Sequence, residues 1–300
     1  QINSIIPLIH QPSKMILLGD HKQLDPFVSI EMKELHPFTT QSLYLYLISK
    51  KLPHTMLKTQ FRMNPLIAEF PNKQFYDNCI ESAEDMEEKT KINLEGVQTP
   101  ILFVDVKDGV EKRVYGTSYQ NDNEAEVVFK ILNNIQMNNI SGSEVGVITP
   151  YFGQKQLLRD KTSSMNYKGV RISSVDSFQG SERDFIILSL VRTNKDGNFG
   201  FLSNENRINV SITRARKGLF IVGNFDAILN SNKNGTKPKN QFLVNMCKFY
   251  QEKNAVVNDS SILMITKRVN PVPVSSIVHH PISNDDFEYD YDLDYYDGKI

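Results

Sequence analysis

At roughly 150 residues per domain, 300 residues make about two compact units. A chain that is 40% hydrophobic and 23% charged is ordinary globular protein, which excludes collagen, a coiled coil and wholesale disorder. Its formal charge of −1 hides an asymmetry: Asp285, Asp286, Glu288, Asp290, Asp292, Asp294 and Asp297 stand against Lys299, a net −6, so residues 1 to 284 carry +5. A mildly basic body with an acidic, tyrosine-interleaved tail is compatible with polyanion binding and equally with a solvating terminus. Two cysteines, Cys79 and Cys247, without metal-ligand spacing give neither a disulfide framework nor a zinc site. The longest apolar stretch, Phe185 to Val191, is far short of the ~20 residues of a membrane span. No membrane partner is expected, and the compartment is read as reducing and intracellular, nucleus or cytoplasm. Beginning at Gln1 without a basic-then-apolar leader, the chain reads as a fragment.

In chain order, Met15 to Leu18 is a short apolar run predicted as a buried strand that delivers Gly19, Asp20 and Gln23 to the ligand-binding edge of a sheet. A strand-end Gly-Asp is also an ordinary turn. Asn64 and Pro65 start a helix whose Leu66, Ile67 and Phe70 face a core, with Arg62 in the loop before it, free to bind an anion or a surface acid. The charged stretch Glu81 to Thr99 reads as a surface excursion. Ile101 to Val106 is the next strand. Asp122 or Asn123 can cap a helix with the stripe Val127, Val128, Ile131, Leu132 and Ile135.

Val145 to Ile148 is a strand, and Thr149-Pro150 places a capping hydroxyl and a first-turn proline before Gln154 to Leu158. Val170 to Val175 and Phe185 to Val191 are strands joined by a polar loop around Gly180. Its small residues let backbone approach a ligand, and Gln179, Glu182, Arg183 and Asp184 crowd into it. A helix from about Asn204 carries Ile208, Ile212 and Ala215 on one stripe. Arg207 and Arg214 flank it, about 10 Å apart along the axis, fitting a multi-phosphate anion or the chain's own acids. Leu219 to Val222 is a strand, Ser231 to Asn240 a linker, Gln241 to Gln251 a helix, and order is expected to fade from about Pro271. Strands alternating with helices predict a doubly wound, mainly parallel α/β sheet.

Five segments occurring together and in order resemble the later motifs of superfamily 1 helicases, in the branch of the nonsense-mediated-decay helicase and senataxin. They are Gly19-Asp20 with Gln23, Leu24 and Pro26; Gln60-Phe-Arg-Met63 with Pro65; Ile148-Thr-Pro-Tyr151 with Gln154; Val175-Asp-Ser-Phe-Gln-Gly180 with Glu182 and Asp184; and Asn209-Val210 with Thr213-Arg-Ala215. The likeness covers roughly residues 1 to 228. It implies a RecA-like P-loop NTPase fold divided as the end of a first RecA-like domain (1–56), a second RecA-like domain (57–228), and a linker, one helix and a disordered tail (229–300).

The resemblance also implies roles. Arg214 would be the arginine finger of ATP hydrolysis, Arg62 a second γ-phosphate contact, and Gln23 a γ-phosphate sensor coupled through Asp20. Glu182 would bind the ribose and Phe61 the adenine, with Gly180 and Arg207 at the nucleotide. Thr149, Pro150, Tyr151, Ser174, Ser177 and Gln179 would grip the backbone of single-stranded RNA or DNA by a monomeric motor moving 5′ to 3′. The family's Gly-x-x-x-x-Gly-Lys-Ser/Thr loop and Asp-Glu pair are absent from this sequence, so ligands for the Mg2+ that accompanies ATP are expected upstream of residue 1, and the fragment alone is expected to be inactive. An arginine pair common before the last helix is Asn206-Arg207 here. A non-catalytic nucleic-acid- or partner-binding module and a signalling ATPase on the same core are the competing readings.

Overall fold

The computed structural model describes residues 6–26, 42–163, 165, 167–194, 197–231 and 240–259. Gln1, the acidic tail and most of the Ser231 to Asn240 linker lie outside them.

After helix α1 (Leu43–Ser49), strand β1 (Thr59–Gln60) leads to helix α2 (Pro65–Phe75), which starts where expected because the Asn64 side chain accepts the Leu66 N–H and proline fills the first turn. Strand β2 (Glu81–Ser82) pairs parallel with β1, and helix α3 (Met86–Lys89) follows. The predicted excursion therefore packs: Met86 and Leu94 are buried, two apolar side chains too sparse among charges to show a period.

Strand β3 (Ile101–Asp105), the hairpin β4 (Lys112–Val114) and β5 (Ser118–Gln120), and helix α4 (Asp122–Met137) come next. The cap of α4 is Asn121, one residue before the expected pair: its side chain accepts the Glu124 N–H, while Asp122 enters the helix and pairs with Lys112. Strand β6 (Val145–Ile148), helix α5 (Phe152–Ser163), strand β7 (Arg171–Ser173), the short helix α6 (Val175–Phe178) and strand β8 (Arg183–Ser189) complete two crossovers. Helix α7 (Glu205–Ile212), capped by Asn204, runs into strand β9 (Ala215–Gly223); helix α8 (Phe225–Asn230), helix α9 (Gln241–Glu252) and strand β10 (Val256–Asn258) end the described chain.

Six strands form one parallel sheet in the order β10-β3-β9-β8-β6-β7. Alternate side chains of each strand serve opposite faces. Ile101, Phe103, Ile186, Leu188 and Ile221 pack with α2, α7 and α9, whereas Leu102, Val104, Val145, Val147, Ile187 and Phe220 pack with α4. Both faces are covered, as a doubly wound parallel sheet requires.

Three expectations are corrected. Met15 to Leu18 is not a strand: Ile16 and Leu18 are 85% and 86% exposed, because an apolar strand needs neighbours to cover it and the described residues place none beside it. The helix from Asn204 stops at Ile212, with Thr213 as its C-cap, so Arg207 and Arg214 do not share one helical face. The sheet also continues past residue 228. The expected helix, α9, buries Phe242, Leu243, Met246, Cys247 and Tyr250, and β10, which was not expected, pairs with β3.

Candidate functional site

Because β8 and β9 are parallel neighbours, the residues just before them, Glu182 and Arg214, emerge at the same edge; the Arg183 N–H donates to the Arg214 carbonyl at 3.1 Å. A third segment is brought there by Gln60. Its Oε1 accepts the N–H groups of Arg62 (2.9 Å) and Met63 (2.8 Å), and its Nε2 donates to the Met63 carbonyl and to Ser82 Oγ, each at 2.8 Å. The loop so tightened projects Arg62 outward, and the Asn64 N–H, donating 2.8 Å to the Arg216 carbonyl, pins it to β9.

There Arg62 Nε pairs with Glu182, and its Nη1 donates 3.2 Å to the Thr213 carbonyl. Arg216 spans Glu182 at 3.5 Å and Asp184 at 2.6 Å, and Lys217 takes the other Asp184 oxygen at 2.6 Å. Arg214 differs. It is 2% exposed, and its donors go to neutral oxygens, Nε to the Val210 carbonyl and Nη2 to Thr213 Oγ1, both at 2.9 Å. Burial, and then the nearby Arg62 charge, lower its pKa to about 10. A buried guanidinium resting on neutral acceptors beside a second cation is an environment completed by an anion.

The Gly19–Pro26 loop docks on this assembly. Asp20 Oδ2 accepts from Gln23 Nε2 (2.9 Å) and from the Tyr76 hydroxyl (2.7 Å), and Asp20 Oδ1 accepts the Lys22 N–H at 2.9 Å. Asn209 Nδ2 donates to both the Tyr76 hydroxyl (2.9 Å) and the Lys22 carbonyl (2.8 Å). Gln23 and Asp20 line a cavity of about 500 Å³ together with Asp176 and Gln179. Phe61, 75% exposed, is free to present a ring face.

The opposite edge, where β6, β7 and β8 end, gathers Thr149, Ser174 and Val191. Thr149 does not cap α5, which starts three residues later at Phe152; its Oγ1 is buried without a partner. Pro150 and Tyr151 are buried, the Tyr151 hydroxyl donating 2.9 Å to the Phe199 carbonyl. Ser174 caps α6, with Ser177 Oγ 3.1 Å away. Gly180 has φ +79°, a backbone that favours glycine, and no protein atom lies within 4 Å of where a Cβ would sit.

Behind this edge Glu124 is wholly buried. Its Oε2 accepts from Ser189 Oγ and the Val191 N–H, each at 2.8 Å, and Oε1 from Asn121 Nδ2 at 3.3 Å; burial still pushes the carboxyl up to about 8. The same contacts hold Val191 at φ +69°, a strained backbone for a β-branched residue. Arg207 joins this side instead of the cation cluster: it lies 3.6 Å from Asp176 and over the Phe201 ring at 4.5 Å, in a cavity of about 320 Å³ shared with Tyr119, Tyr151 and Arg192.

Arg62, Glu182 and Arg214 thus meet; Asp20 and Gln23 adjoin them; Arg207, Thr149, Pro150, Tyr151 and Ser174 lie elsewhere. The donor set at Arg62 and Arg214 fits a polyphosphate. Among the described residues no group of three His, Cys, Asp or Glu side chains could hold a metal ion, so no step is assigned to one. Nor is any helix among the described residues long and apolar enough to cross a membrane. Sequence reasoning missed Tyr76 as a site residue and gave Asn209 and Thr213 a place in a motif but no role. The signal for such a role was Asn209 itself, a polar residue between Ile208 and Val210 on a helix with an apolar stripe.

An AAA domain family model matches residues 39–226. The chain is 36% identical over 230 residues to the Regulator of nonsense transcripts 1 homolog of Neurospora crassa, covering 73% of this chain and 21% of that one. It is 36% identical over 232 residues to the ATP-dependent helicase NAM7 of Saccharomyces cerevisiae, with 73% and 24% covered. Against the Probable helicase MAGATAMA 3 of Arabidopsis thaliana the identity is 36% over 231 residues, with 73% and 28% covered. The chain spans 21% to 28% of the length of these relatives.

Proposed function

Since the chain belongs to the AAA domain family, in the superfamily 1 branch that holds the regulators of nonsense transcripts, we propose that it is the second motor half of an ATP-dependent helicase that moves along a single strand of RNA or DNA. The observation that carries this reading is the meeting of Arg62, Glu182 and Arg214, from segments 120 residues and more apart in the case of Arg62 and Glu182, at one sheet edge. ATP, when bound, supplies the phosphoanhydride whose cleavage drives movement.

Arg214, held by Val210 and Thr213, neutralises charge growing on the transferred phosphoryl group, a contribution on the order of 10³ to 10⁵ in rate for an arginine so placed. Arg62 exchanges its Glu182 partner for phosphate, which frees Glu182 Oε2 for the ribose hydroxyls while Arg216 stays on Oε1. Phe61 offers its exposed ring to the base. Gln23, through Asp20, reports the presence of the γ-phosphate to the nucleic-acid contacts. The strand lies across the edge formed by Thr149, Ser174, Ser177 and Gln179, gripped through its phosphates and not its bases, so RNA and DNA are both admissible.

The test is steady-state ATP turnover by the full-length protein with no nucleic acid, with single-stranded RNA and with single-stranded DNA. Turnover raised at least tenfold by either strand supports the motor; no turnover under any condition sinks it in favour of a binding module.

A further inference from the structure

One unbroken chain of hydrogen bonds runs from the Gly19–Pro26 loop to Arg214. Gln23 Nε2 and the Tyr76 hydroxyl both donate to Asp20 Oδ2, at 2.9 and 2.7 Å, and Asn209 Nδ2 donates to the Tyr76 oxygen at 2.9 Å. On the backbone side of the same asparagine, Thr213 Oγ1 donates 2.7 Å to the Asn209 carbonyl, and Arg214 Nη2 donates 2.9 Å to Thr213 Oγ1. Arg62 enters at the same point through its bond to the Thr213 carbonyl. We propose that Tyr76 is a positioning residue that ties the loop holding Gln23 to the helix end holding Arg214, so that the two act on one substrate as a unit.

Three features single out Tyr76. It sits at the C-cap of α2, its ring packed against the core below, so the hydroxyl is fixed in place by its scaffold. Burial and the bond to Asp20 raise its pKa far above the usual tyrosine range, which keeps the hydroxyl protonated and able to donate to Asp20 while accepting from Asn209. Asn209 is wholly buried and its Oδ1 has no partner, so its amide is oriented by the two bonds its nitrogen makes, to Tyr76 and to the Lys22 carbonyl. Those two bonds are what seats the loop on α7. Removing the Tyr76 oxygen leaves Asn209 one anchor and Asp20 only Gln23 and the Lys22 N–H.

The inference rests on the motor reading above, and its test separates the two. In the full-length protein, Tyr76→Phe keeps the ring and deletes the oxygen. We expect about a tenfold loss of nucleic-acid-stimulated kcat, with KM for ATP and the melting temperature nearly unchanged; coupling energies between sites usually amount to 5- to 150-fold. On a Gln23→Ala background the same change should cost less than twofold, because the link then has nothing to transmit. Equal kcat in the parent and Tyr76→Phe overturns the proposal and leaves the motor standing. So does a tenfold loss repeated in full on the Gln23→Ala background, or a loss matched by a fall in melting temperature, both of which make Tyr76 merely structural. A parent without stimulated turnover removes the motor reading, and the proposal with it.

Discussion

The two edges of one parallel sheet solve opposite problems. Before β8 and β9, the side chains are charged and, Arg214 apart, paired with one another, and the Arg62–Glu182 pair is about a third exposed on each side. After β8, the groups around Glu124 are buried, and each oxygen of that carboxyl group is fixed by donors from the end of β8 or from the α4 cap. Half-exposed ion pairs are worth roughly 0–1 kcal/mol and are readily traded for a ligand's charges. A buried acceptor abandoned by its donors costs about 1–3 kcal/mol, so the second edge stays as built. Exchangeable contacts face the proposed nucleotide; permanent ones shape the backbone of the proposed strand track.

The largest expected effect tests the first edge. Arg214→Ala in the full-length protein should reduce turnover by about 10³ while nucleotide affinity changes far less, since the group acts on transition-state charge. Arg207→Ala, outside the cation cluster and beside Asp176, should do much less to turnover. Comparable losses in both variants would erase the distinction between the edges.

At the second edge, Glu124→Ala strands the Ser189 hydroxyl and the Val191 N–H and should cost about 3 kcal/mol, read by urea unfolding. Because the folded carboxyl is raised from 4.5 to about 8, the folded chain holds a proton that the unfolded chain has released across this range. Its contribution is therefore complete below the ordinary glutamate range and is lost as pH climbs toward 8. The melting temperature should fall from pH 5 to pH 8, and a flat profile in the parent would contradict burial as the governing influence.

Smaller effects sharpen the contrast. Phe61→Ala should weaken adenine-nucleotide binding by about tenfold, within the ~1–3 kcal/mol of one base stacked on a ring, and leave stability alone because the side chain is exposed. Unchanged affinity would remove Phe61 from the nucleotide. Glu182→Gln should change stability by less than about 1 kcal/mol, since its partners are half-exposed and solvated; a loss as large as that of Glu124→Ala would show that the first edge is not exchangeable.

Much of this was legible in sequence. The apolar runs at Ile101, Val145, Phe185 and Leu219 are β-branched and turn-bounded, and each is a strand of the sheet. Local signals failed where the deciding partner is distant. Met15 to Leu18 has a strand's composition, but composition does not supply neighbours. Thr213-Arg-Ala continues the helical period of α7 without glycine or proline, so nothing local announces that β9 begins at Ala215 and separates Arg207 from Arg214. Glu124 reads as a first-turn acid suited to a helix dipole, and only Ser189 and Val191, more than sixty residues on, make it a buried acceptor. Tyr76 presents itself as one more aromatic of an apolar helix, its hydroxyl meaningful only once Asp20 is beside it.

The closing strand has a consequence for how the protein is made. β10 pairs with β3, Val256 beside Phe103, and α9 sets Tyr250 6.2 Å from the Phe103 ring and Phe249 5.5 Å from Phe70. On a ribosome adding roughly 5–20 residues per second, β3 and α2 wait on the order of ten seconds or more for these partners to emerge. During that interval an unpaired strand edge and a row of phenylalanines stand open, the surface that a nascent-chain chaperone recognises or that a neighbouring chain captures. Translation speed across the last described helix thus bears on the yield of folded protein, although no residue there touches the proposed nucleotide.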